Sequence, residues 1–395
     1  MEANLSTFDR YFAIILLTVM SVQIVPIEGY EISIVKVTMM GICLFVFLFR
    51  VPYLSKAVVY SLIYWSSCAF PAFFYTIFRF STLGYAGLFL ITFIAYYNLV
   101  YKGVFSLELF LKILKTLICV FAGILVLQQV CVLIGLRNVA FLNLVGADYY
   151  AWNRLPVLTC EPSHTAVILT GFFLGYLRCV EIKNRVKPSF SVLFNKEHRV
   201  VTFAYLWLTF TMGSGTGWFG FSIICLYFVN MRSFYYVLPI FMTLYIILQQ
   251  SDNVQFRRAL SAAQATVTAD INKVQEAEGS ASTRIIPVIN TFKDIDLSKK
   301  ESWIGKGTIS IEERDSAWKN SARKISVIEQ YGLLAFLTSL FLLFSCMIKK
   351  IISLETLCFV ILLMMSLSNA YMTWSMLFVF TTIRYFKDNK NCHIN

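Results

Sequence analysis

The sequence predicts an all-α fold, a polytopic membrane bundle of about 12 transmembrane helices with one large, partly helical loop outside the membrane. Of its 395 residues, 58% are hydrophobic and 14% are charged, whereas soluble domains carry roughly 25% charged residues. The number of apolar residues is close to the number that twelve spans of about 20 residues would need. Strictly alternating segments, which are typical of an outer-membrane barrel, are missing from the sequence.

The expected helices follow from the positions of the apolar runs. The first run has no small-residue cleavage site, so we expect an uncleaved anchor and not a signal peptide. Lys36 and Lys115 lie near the ends of their runs, from which their side chains can extend to the membrane surface. The runs cover residues 11–27, 32–49, 57–78, 82–100, 113–135, 163–180, 199–213, 217–230, 233–250, 329–348, 352–369 and 371–385.

Basic residues predict the orientation of these helices. The formal charge is +12, but the basic residues lie in short links between apolar runs, which is typical of topology signals and not of nucleic-acid binding. Because they occupy alternate links, we expect those links and both termini to be cytoplasmic. The links contain Arg50, Lys56, Lys102, Arg178, Lys183, Arg185, Lys187, Lys196, Arg199, Arg232, Lys349, Lys350, Arg384, Lys387 and Lys390.

A large polar segment divides the chain into three regions. It holds 12 Lys or Arg and 10 Asp or Glu, so it is nearly balanced in charge, unlike the basic links. Within it we expect one helix over 252–278 and another from about 311 through 329 that continues into the tenth span. The regions are 1–250 with helices one to nine and a short outer loop at 136–162, the large outer loop 251–328, and 329–395 with helices ten to twelve and a cytoplasmic tail.

The cysteines give no sign of a metal site or a disulfide framework. The ten cysteines are scattered singly, mostly inside apolar runs, and no Cys-x-x-Cys pair occurs. No Walker or dinucleotide-binding fingerprint is present either. We therefore expect no metal ion and no cofactor.

The most specific short segment runs from Arg154 to His164, directly before the sixth apolar run. Pro162 suits the first position of a helix and Glu161 suits the N-cap before it, so one interpretation of Glu161 is a helix cap. The functional alternative is that Glu161 or His164 acts as a general base for a sugar hydroxyl, while Arg154 neutralises a phosphate. His164 is one of only three histidines, and the simpler interpretation is a hydrogen-bonding residue at the helix start.

Aromatic and cationic residues on the outer side complete the candidate site. Tyr149, Tyr150 and Trp152 are suited to stacking on sugar rings, or they belong to an interfacial aromatic belt. In the large loop, Arg284 with Lys306 or Arg314 would form a cationic pocket for a pyrophosphate, helped by N–H groups at Gly305 and Gly307. The alternative is that these cations are simply solvated. Between the seventh and eighth runs, the glycines from Gly213 to Gly217 predict a turn.

The order of these parts resembles the O-antigen and capsular polysaccharide polymerases, the Wzy type of bacterial integral membrane glycosyltransferases. The resemblance covers most of the chain, and each motif is short. One departure is that the outer loop 136–162 offers only Arg137 and Arg154 as cations. The matching parts are Arg154 followed by Glu161-Pro162-Ser163, the segment Thr211 to Gly217, the long loop with Arg284, Trp303-Ile-Gly305-Lys-Gly307, and Glu329-Gln-Tyr331-Gly332.

The resemblance implies a metal-independent glycosyl transfer at the outer face of the bacterial inner membrane. A growing glycan would leave its undecaprenyl pyrophosphate and join the terminal sugar of a new lipid-linked repeat unit. Arg154, Arg284 and Arg314 would stabilise the leaving pyrophosphate, and Glu161 or His164 would be the base. The implied partners are the lipid-linked glycan, membrane lipid, a flippase and a chain-length regulator.

Three other functions remain compatible with the sequence. An O-antigen ligase shares the architecture but transfers the finished glycan to a lipid A core. A lipid-linked oligosaccharide flippase would have a similar number of spans, yet it should show charged residues along a central cavity. A non-catalytic receptor or channel scaffold would not depend on Arg154 or Arg284.

Overall fold

The computed structural model describes residues 7–23, 34–74, 80–136, 152, 154–229, 287–293, 295–307, 325–367 and 371–389. Every regular element in these ranges is a helix, so the all-α prediction is confirmed for them. Residues 287–293 are helical, 3-10 turns cover Phe70–Phe73 and Phe190–Phe194, and a π-helical turn covers Leu343–Met347. The α-helices are α1 (Thr7–Ser21), α2 (Ile34–Phe49), α3 (Lys56–Ala69), α4 (Phe80–Tyr101), α5 (Leu107–Leu133), α6 (Pro162–Asn184), α7 (Arg199–Thr211), α8 (Gly215–Phe228), α9 (Lys300–Ile304), α10 (Ser326–Leu342), α11 (Leu354–Ile361) and α12 (Tyr371–Asp388).

Four helices in the described ranges are long and apolar enough to cross a membrane. They are α4, α5, α6 and the continuous stretch Ser326–Met347 made of α10 and the π turn. The chain therefore has the character of a membrane protein. Helices α2 and α8 are apolar but shorter, and the predicted run 233–250 lies outside the described residues. The twelve spans and the large outer loop stay predictions.

Helix α12 lies at the centre of the bundle, packed against α1, α4 and α6. Its side chains from Met376 to Phe380 are almost completely buried. Glycines on α6 allow the close approach: a Cβ at Gly171 would lie 2.9 Å from Met376 Cγ, and one at Gly175 would overlap Val379. Small residues at such crossings are typical of helix packing in membranes.

Ion pairs join the ends of the first helices. Asp9, at the start of α1, accepts hydrogen bonds from Arg50 Nε and Lys102 Nζ, each at 3.0 Å. These two cations directly follow α2 and α4. The rings of Tyr101 and Tyr385 pack at 5.3 Å between centroids, which places the end of α12 beside them.

The same end of the bundle carries a second buried ion cluster. Glu355, at the start of α11, accepts hydrogen bonds from Arg178 Nε at 3.0 Å and from Lys387 Nζ at 2.9 Å. Lys183 pairs with Glu108 at 3.4 Å and brings in the start of α5. We call this end, defined by the clusters around Asp9 and Glu355, the basic end. The alternate links that the sequence marks as basic thus meet at one end wherever they are described.

The structure corrects the predicted helix over 352–369. Helix α11 ends at Ile361, and the chain turns through left-handed conformations at Met364 and Met365. The bend is buried in protein, and the carbonyl of Leu367 accepts a long hydrogen bond (3.5 Å) from the Tyr64 hydroxyl. Irregular backbone inside a helical bundle is tolerated where protein supplies its hydrogen-bond partners, and hydropathy alone does not reveal those partners.

The helix predicted to run from about 311 through 329 is also interrupted. Residues 308–324 lie outside the described residues, but Ile325 has an extended conformation and α10 begins only at Ser326. Its first turns are broken again at Gly332, whose backbone angles are not helical (φ 81°, ψ 179°). By contrast, the predicted glycine turn is confirmed, because α7 ends at Thr211 and α8 begins at Gly215.

Candidate functional site

The segment before α6 is held by a buried amide side chain of α5. Gln128, which is fully buried, donates from Nε2 to the Val157 carbonyl at 2.8 Å, and its Oε1 accepts from Val157 N at 3.1 Å. Val157 itself has a left-handed conformation with φ 60°, which is unfavourable for a β-branched residue. Because the two hydrogen bonds hold that conformation, the segment is a rigid platform and not a loose loop. We call residues 154–161 the platform.

Further hydrogen bonds tie this platform to α6 and to the end of α1. Two buried hydroxyls bond within it: Thr165 Oγ1 donates to the Pro156 carbonyl at 2.8 Å, and Thr159 Oγ1 donates to the Glu161 carbonyl at 2.7 Å. Past the end of α1, Gln23 Oε1 accepts from Cys160 N at 2.7 Å. The backbone around Glu161 is therefore positioned from both sides. Such support is what a site needs to hold its side chains in place.

Glu161 occupies the N-cap position of α6, and Pro162 is the first helical residue, as predicted. Its backbone thus has the predicted N-cap position, but its carboxylate makes no hydrogen bond to the N–H groups of the first turn. It accepts instead from Ser163 Oγ at 3.0 Å and stays exposed. An exposed carboxylate on a rigid platform is available to a ligand.

His164 is half-buried and forms a pair with a cysteine. Its Nδ1 lies 2.9 Å from Sγ of Cys160, four residues earlier and before the start of α6. Either atom of this pair can be the donor, because the direction of the hydrogen bond depends on the histidine tautomer. Of the two predicted bases, Glu161 is the more exposed.

Sequence reasoning missed several side chains around this platform. Lys36 does not extend to the surface as expected, since only 3% of it is exposed, and it lies close enough to the Cys160 thiol to interact electrostatically. Gln128 was recognisable as a polar residue within an apolar run. The contact between Cys160 and His164 had no such signal, because Cys160 precedes α6 and the helical four-residue spacing does not apply to it.

Only part of the predicted aromatic and cationic set is described. Arg154 and Trp152 are exposed, and the Trp152 ring packs edge-on against Trp207 of α7 with 6.4 Å between centroids. The other predicted residues, Tyr149, Tyr150, Arg284 and Arg314, lie outside the described residues.

Two short glycine-containing segments, 303–307 and 329–332, pack against each other. Lys306 N donates to the Glu329 carbonyl at 2.8 Å, and Gly307 N donates to the Gln330 carbonyl at 3.0 Å. Gly332 allows this contact, since a Cβ there would overlap the Trp303 carbonyl. The segment from Trp303 to Gly307 is thus docked on the start of α10.

This docking corrects one expectation about a phosphate pocket. The N–H groups at the glycines are not free for an anion: Gly305 N donates to the Glu301 carbonyl, and Gly307 N is used as described. The Lys306 side chain is exposed. Within the described ranges, no hydrogen bond or ion pair joins Lys306 to Glu161 or His164. The structure brings Glu161 to Ser163 and His164 to Cys160 at the start of α6.

The described part of the chain has no group of three His, Cys, Asp or Glu side chains arranged to hold a metal ion. The fold defines an all-α protein with helices suited to a membrane and a rigid polar platform at the end opposite the basic end. No protein-family model matches the chain, and no curated protein or solved structure matches it either.

Proposed function

We propose that this protein is a glycosyltransferase that polymerises undecaprenyl-pyrophosphate-linked oligosaccharide repeat units at the outer face of a bacterial inner membrane. The single observation that carries the proposal is the Glu161 platform. It offers an exposed carboxylate beside an imidazole at a helix start, at the end of the bundle that lacks the basic clusters. Carboxylates and imidazoles so placed are the usual groups of acid–base catalysis.

The proposed topology keeps all twelve predicted spans. They are the four long apolar helices, the shorter described helices, and the run 233–250 outside the described residues. The basic end faces the cytoplasm, together with both termini, because Lys and Arg are retained on that side. The platform and the segment from Trp303 to Gly307 then lie on the outer side. A membrane-embedded catalyst of this kind meets its lipid-linked substrates there without a nucleotide sugar.

In the proposed reaction the acceptor hydroxyl attacks the anomeric carbon of the donor glycan. The new C–O glycosidic bond forms as the C–O bond to the pyrophosphate breaks, and the acceptor proton passes to the Glu161 carboxylate. Undecaprenyl pyrophosphate leaves with the electron pair of the broken bond. Arg154 and the loop cations Arg284, Lys306 and Arg314 neutralise the charge that develops on it.

Other residues take supporting roles in this proposal. His164 donates a hydrogen bond from Nε2 to a sugar oxygen, with its ring held by Cys160. Tyr149, Tyr150 and Trp152 stack on sugar faces. No metal ion takes part. A flippase and a chain-length regulator are the partners that the family resemblance implies.

Glu161→Gln tests the proposal in the native strain. The surface polysaccharide should collapse on a gel from a ladder to a single repeat unit, because the acceptor loses its base while the shape of the side chain is kept. Protein levels in the membrane are checked by immunoblot. Glu108→Gln is the matched control, since Glu108 is an exposed carboxylate in a first helical turn at the basic end. It should leave the ladder unchanged.

The same gel separates the alternatives. Loss of all surface glycan in Glu161→Gln would favour an O-antigen ligase or a lipid-linked oligosaccharide flippase. A ladder that Glu161→Gln leaves intact would remove Glu161 from the mechanism and favour a non-catalytic role for the platform.

A further inference from the structure

An apolar groove runs along the outside of the bundle between α5 and α7. It is shallow and open to the surroundings, with a volume of about 590 Å³. From Phe203 to Thr211 its α7 wall extends about 12 Å along the helix axis. The lining residues are Ala122, Gly123, Val126, Phe203, Ala204, Leu206, Trp207, Phe210 and Thr211.

Small residues create the groove. Gly123 on α5 is exposed, and a Cβ built there would meet no atom within 4 Å. Ala122 and Ala204 keep both walls low, while Phe203 and Phe210 border the groove with exposed rings. The groove therefore has room for an apolar chain that lies along the helices.

One end of the groove meets the platform. There, Trp207 Nε1 donates to Gln129 Oε1 at 3.1 Å, and Gln129 Nε2 donates to Thr211 Oγ1 at 3.0 Å, so the indole is held in place. Trp152 packs against the same indole. Arg154 follows Trp152 by two residues, which limits their Cα separation to about 7 Å. An exposed cation thus lies close to the end of an apolar groove.

We propose that this groove holds the isoprene units of the lipid-linked substrate that lie nearest its pyrophosphate, with the pyrophosphate at Arg154. The inference rests on the proposed function and adds the lipid subsite to it. Its ground is complementarity in two parts, because the groove is apolar along its length and a guanidinium, which binds phosphate oxygens in pairs, lies close to its end. The groove also leads to the segment that carries Glu161, so a bound lipid would deliver its glycan to that carboxylate.

Photocrosslinking tests the subsite on the full chain in nanodiscs of phosphatidylethanolamine and phosphatidylglycerol. p-Benzoylphenylalanine replaces Phe203 in the groove or, as the matched control, Phe45 on α2; both phenylalanines are 58% exposed. The probe is radiolabelled undecaprenyl pyrophosphate. We expect several-fold more label at position 203 than at position 45. Unlabelled undecaprenyl pyrophosphate should remove that label, whereas phosphatidylglycerol in excess should not.

Two results would overturn the assignment. One is equal labelling at the two positions. The other is label at position 203 that phosphatidylglycerol displaces as well as undecaprenyl pyrophosphate does, since the groove would then be an ordinary crevice for phospholipid chains.

A filling substitution gives a second readout. Gly123→Leu adds a side chain in the groove at a position where a Cβ meets no atom within 4 Å, and Gly41→Leu adds one at an equally open, exposed position on α2. We expect the apparent Kd for undecaprenyl pyrophosphate to rise about tenfold or more in Gly123→Leu and to change little in Gly41→Leu. An unchanged Kd in Gly123→Leu would contradict the subsite.

The binding readouts do not require polymerisation, so the two proposals fail separately. Equal labelling in a protein that still makes polymer overturns the lipid-subsite proposal alone. Selective labelling in a protein that makes no polymer supports the lipid subsite and counts against the polymerase proposal.

Discussion

At the scale of single residues, buried charges carry much of the specificity of this bundle. Asp9 and Glu355 are almost completely buried, and each is shared by two cations from other helices. A buried carboxylate of this kind adds little over an apolar pair of the same shape, but removing it takes a partner from cations that are themselves partly buried. A buried histidine stays neutral for a related reason, because protonation would place a charge where solvation is poor.

Glu355→Gln should lower the free energy of unfolding by about 1–3 kcal/mol, because Lys387 loses its carboxylate partner while Arg178 keeps its ion pair with Glu181. Thermal unfolding of the purified protein in detergent measures the change. Glu108→Gln is the control: the Glu108 side chain is 79% exposed in its pair with Lys183, so the loss should stay within about 0.5 kcal/mol. Similar losses in both variants would contradict a structural role for the Glu355 cluster.

His198 should make stability depend on pH. Burial lowers its pKa below 6.5, with a further lowering by Lys115 and Lys183 that Glu197 opposes, and its Nδ1 lies 2.7 Å from the Tyr176 hydroxyl. A depressed pKa means that the unfolded chain binds the proton first. The stabilisation that neutral His198 contributes to the folded protein is therefore complete above pH 6.5. It is lost as the pH falls through the lower pKa that His198 has in the folded protein.

Melting temperatures at pH 7.5 and 5.5 measure this effect. The unmodified protein should lose stability on acidification, and His198→Gln should lose less, because glutamine keeps a hydrogen-bonding group but does not titrate. His164→Gln separates the second described histidine from the first. A pH slope unchanged in His198→Gln would show that other groups set it.

At the scale of elements, a segment from the predicted outer loop is built onto a broken helix. The segment from Trp303 to Gly307 forms backbone hydrogen bonds with the first turns of α10, and Gly332 sits at the break with φ 81° and ψ 179°. Such angles are essentially restricted to glycine. Lys300 Nζ also lies 3.9 Å from the Phe74 ring centroid, so α9 is held from the side of α3 as well.

Gly332→Ala should undock this segment. Its Cβ would overlap the Trp303 carbonyl and its backbone would be strained, for a cost of about 1–3 kcal/mol. We expect faster tryptic cleavage after Lys306, followed by mass spectrometry. Gly84→Ala is the control, because Gly84 lies within α4 with no atom within 4 Å of the new Cβ. Cleavage at the same rate in both variants would contradict the docking.

At the scale of the whole molecule, a bundle with a basic end and an opposite polar platform implies a fixed orientation. The clusters around Asp9 and Glu355 join the starts of α1, α5 and α11 to the ends of α2, α4, α6 and α12. Helices that begin and end there in alternation are what a chain crossing a bilayer repeatedly requires. The basic end is expected on the cytoplasmic side.

Reporter fusions test this orientation. Green fluorescent protein fused after Asn195 or Asp388 should fluoresce, because both positions belong to the basic end, and alkaline phosphatase there should be inactive. Alkaline phosphatase fused after Gly135 or Gly307 should be active. The reverse pattern would invert the orientation and place the Glu161 platform in the cytoplasm, away from any extracytoplasmic polymerisation.

The sequence by itself determined the helical class, the start of α6 at Pro162 and the turn between α7 and α8, because hydropathy, proline and glycine act within a few residues of chain. Only the structure revealed that the Glu161 carboxylate accepts from Ser163 and not from the N–H groups of its helix, and that His164 Nδ1 lies against Cys160 Sγ. It also decided that Lys36 is buried and that the predicted 352–369 helix breaks after Ile361. Residues distant in the chain bury Lys36, and the distant Tyr64 hydroxyl bonds the Leu367 carbonyl after the break. No local pattern encodes which distant residue supplies such a partner.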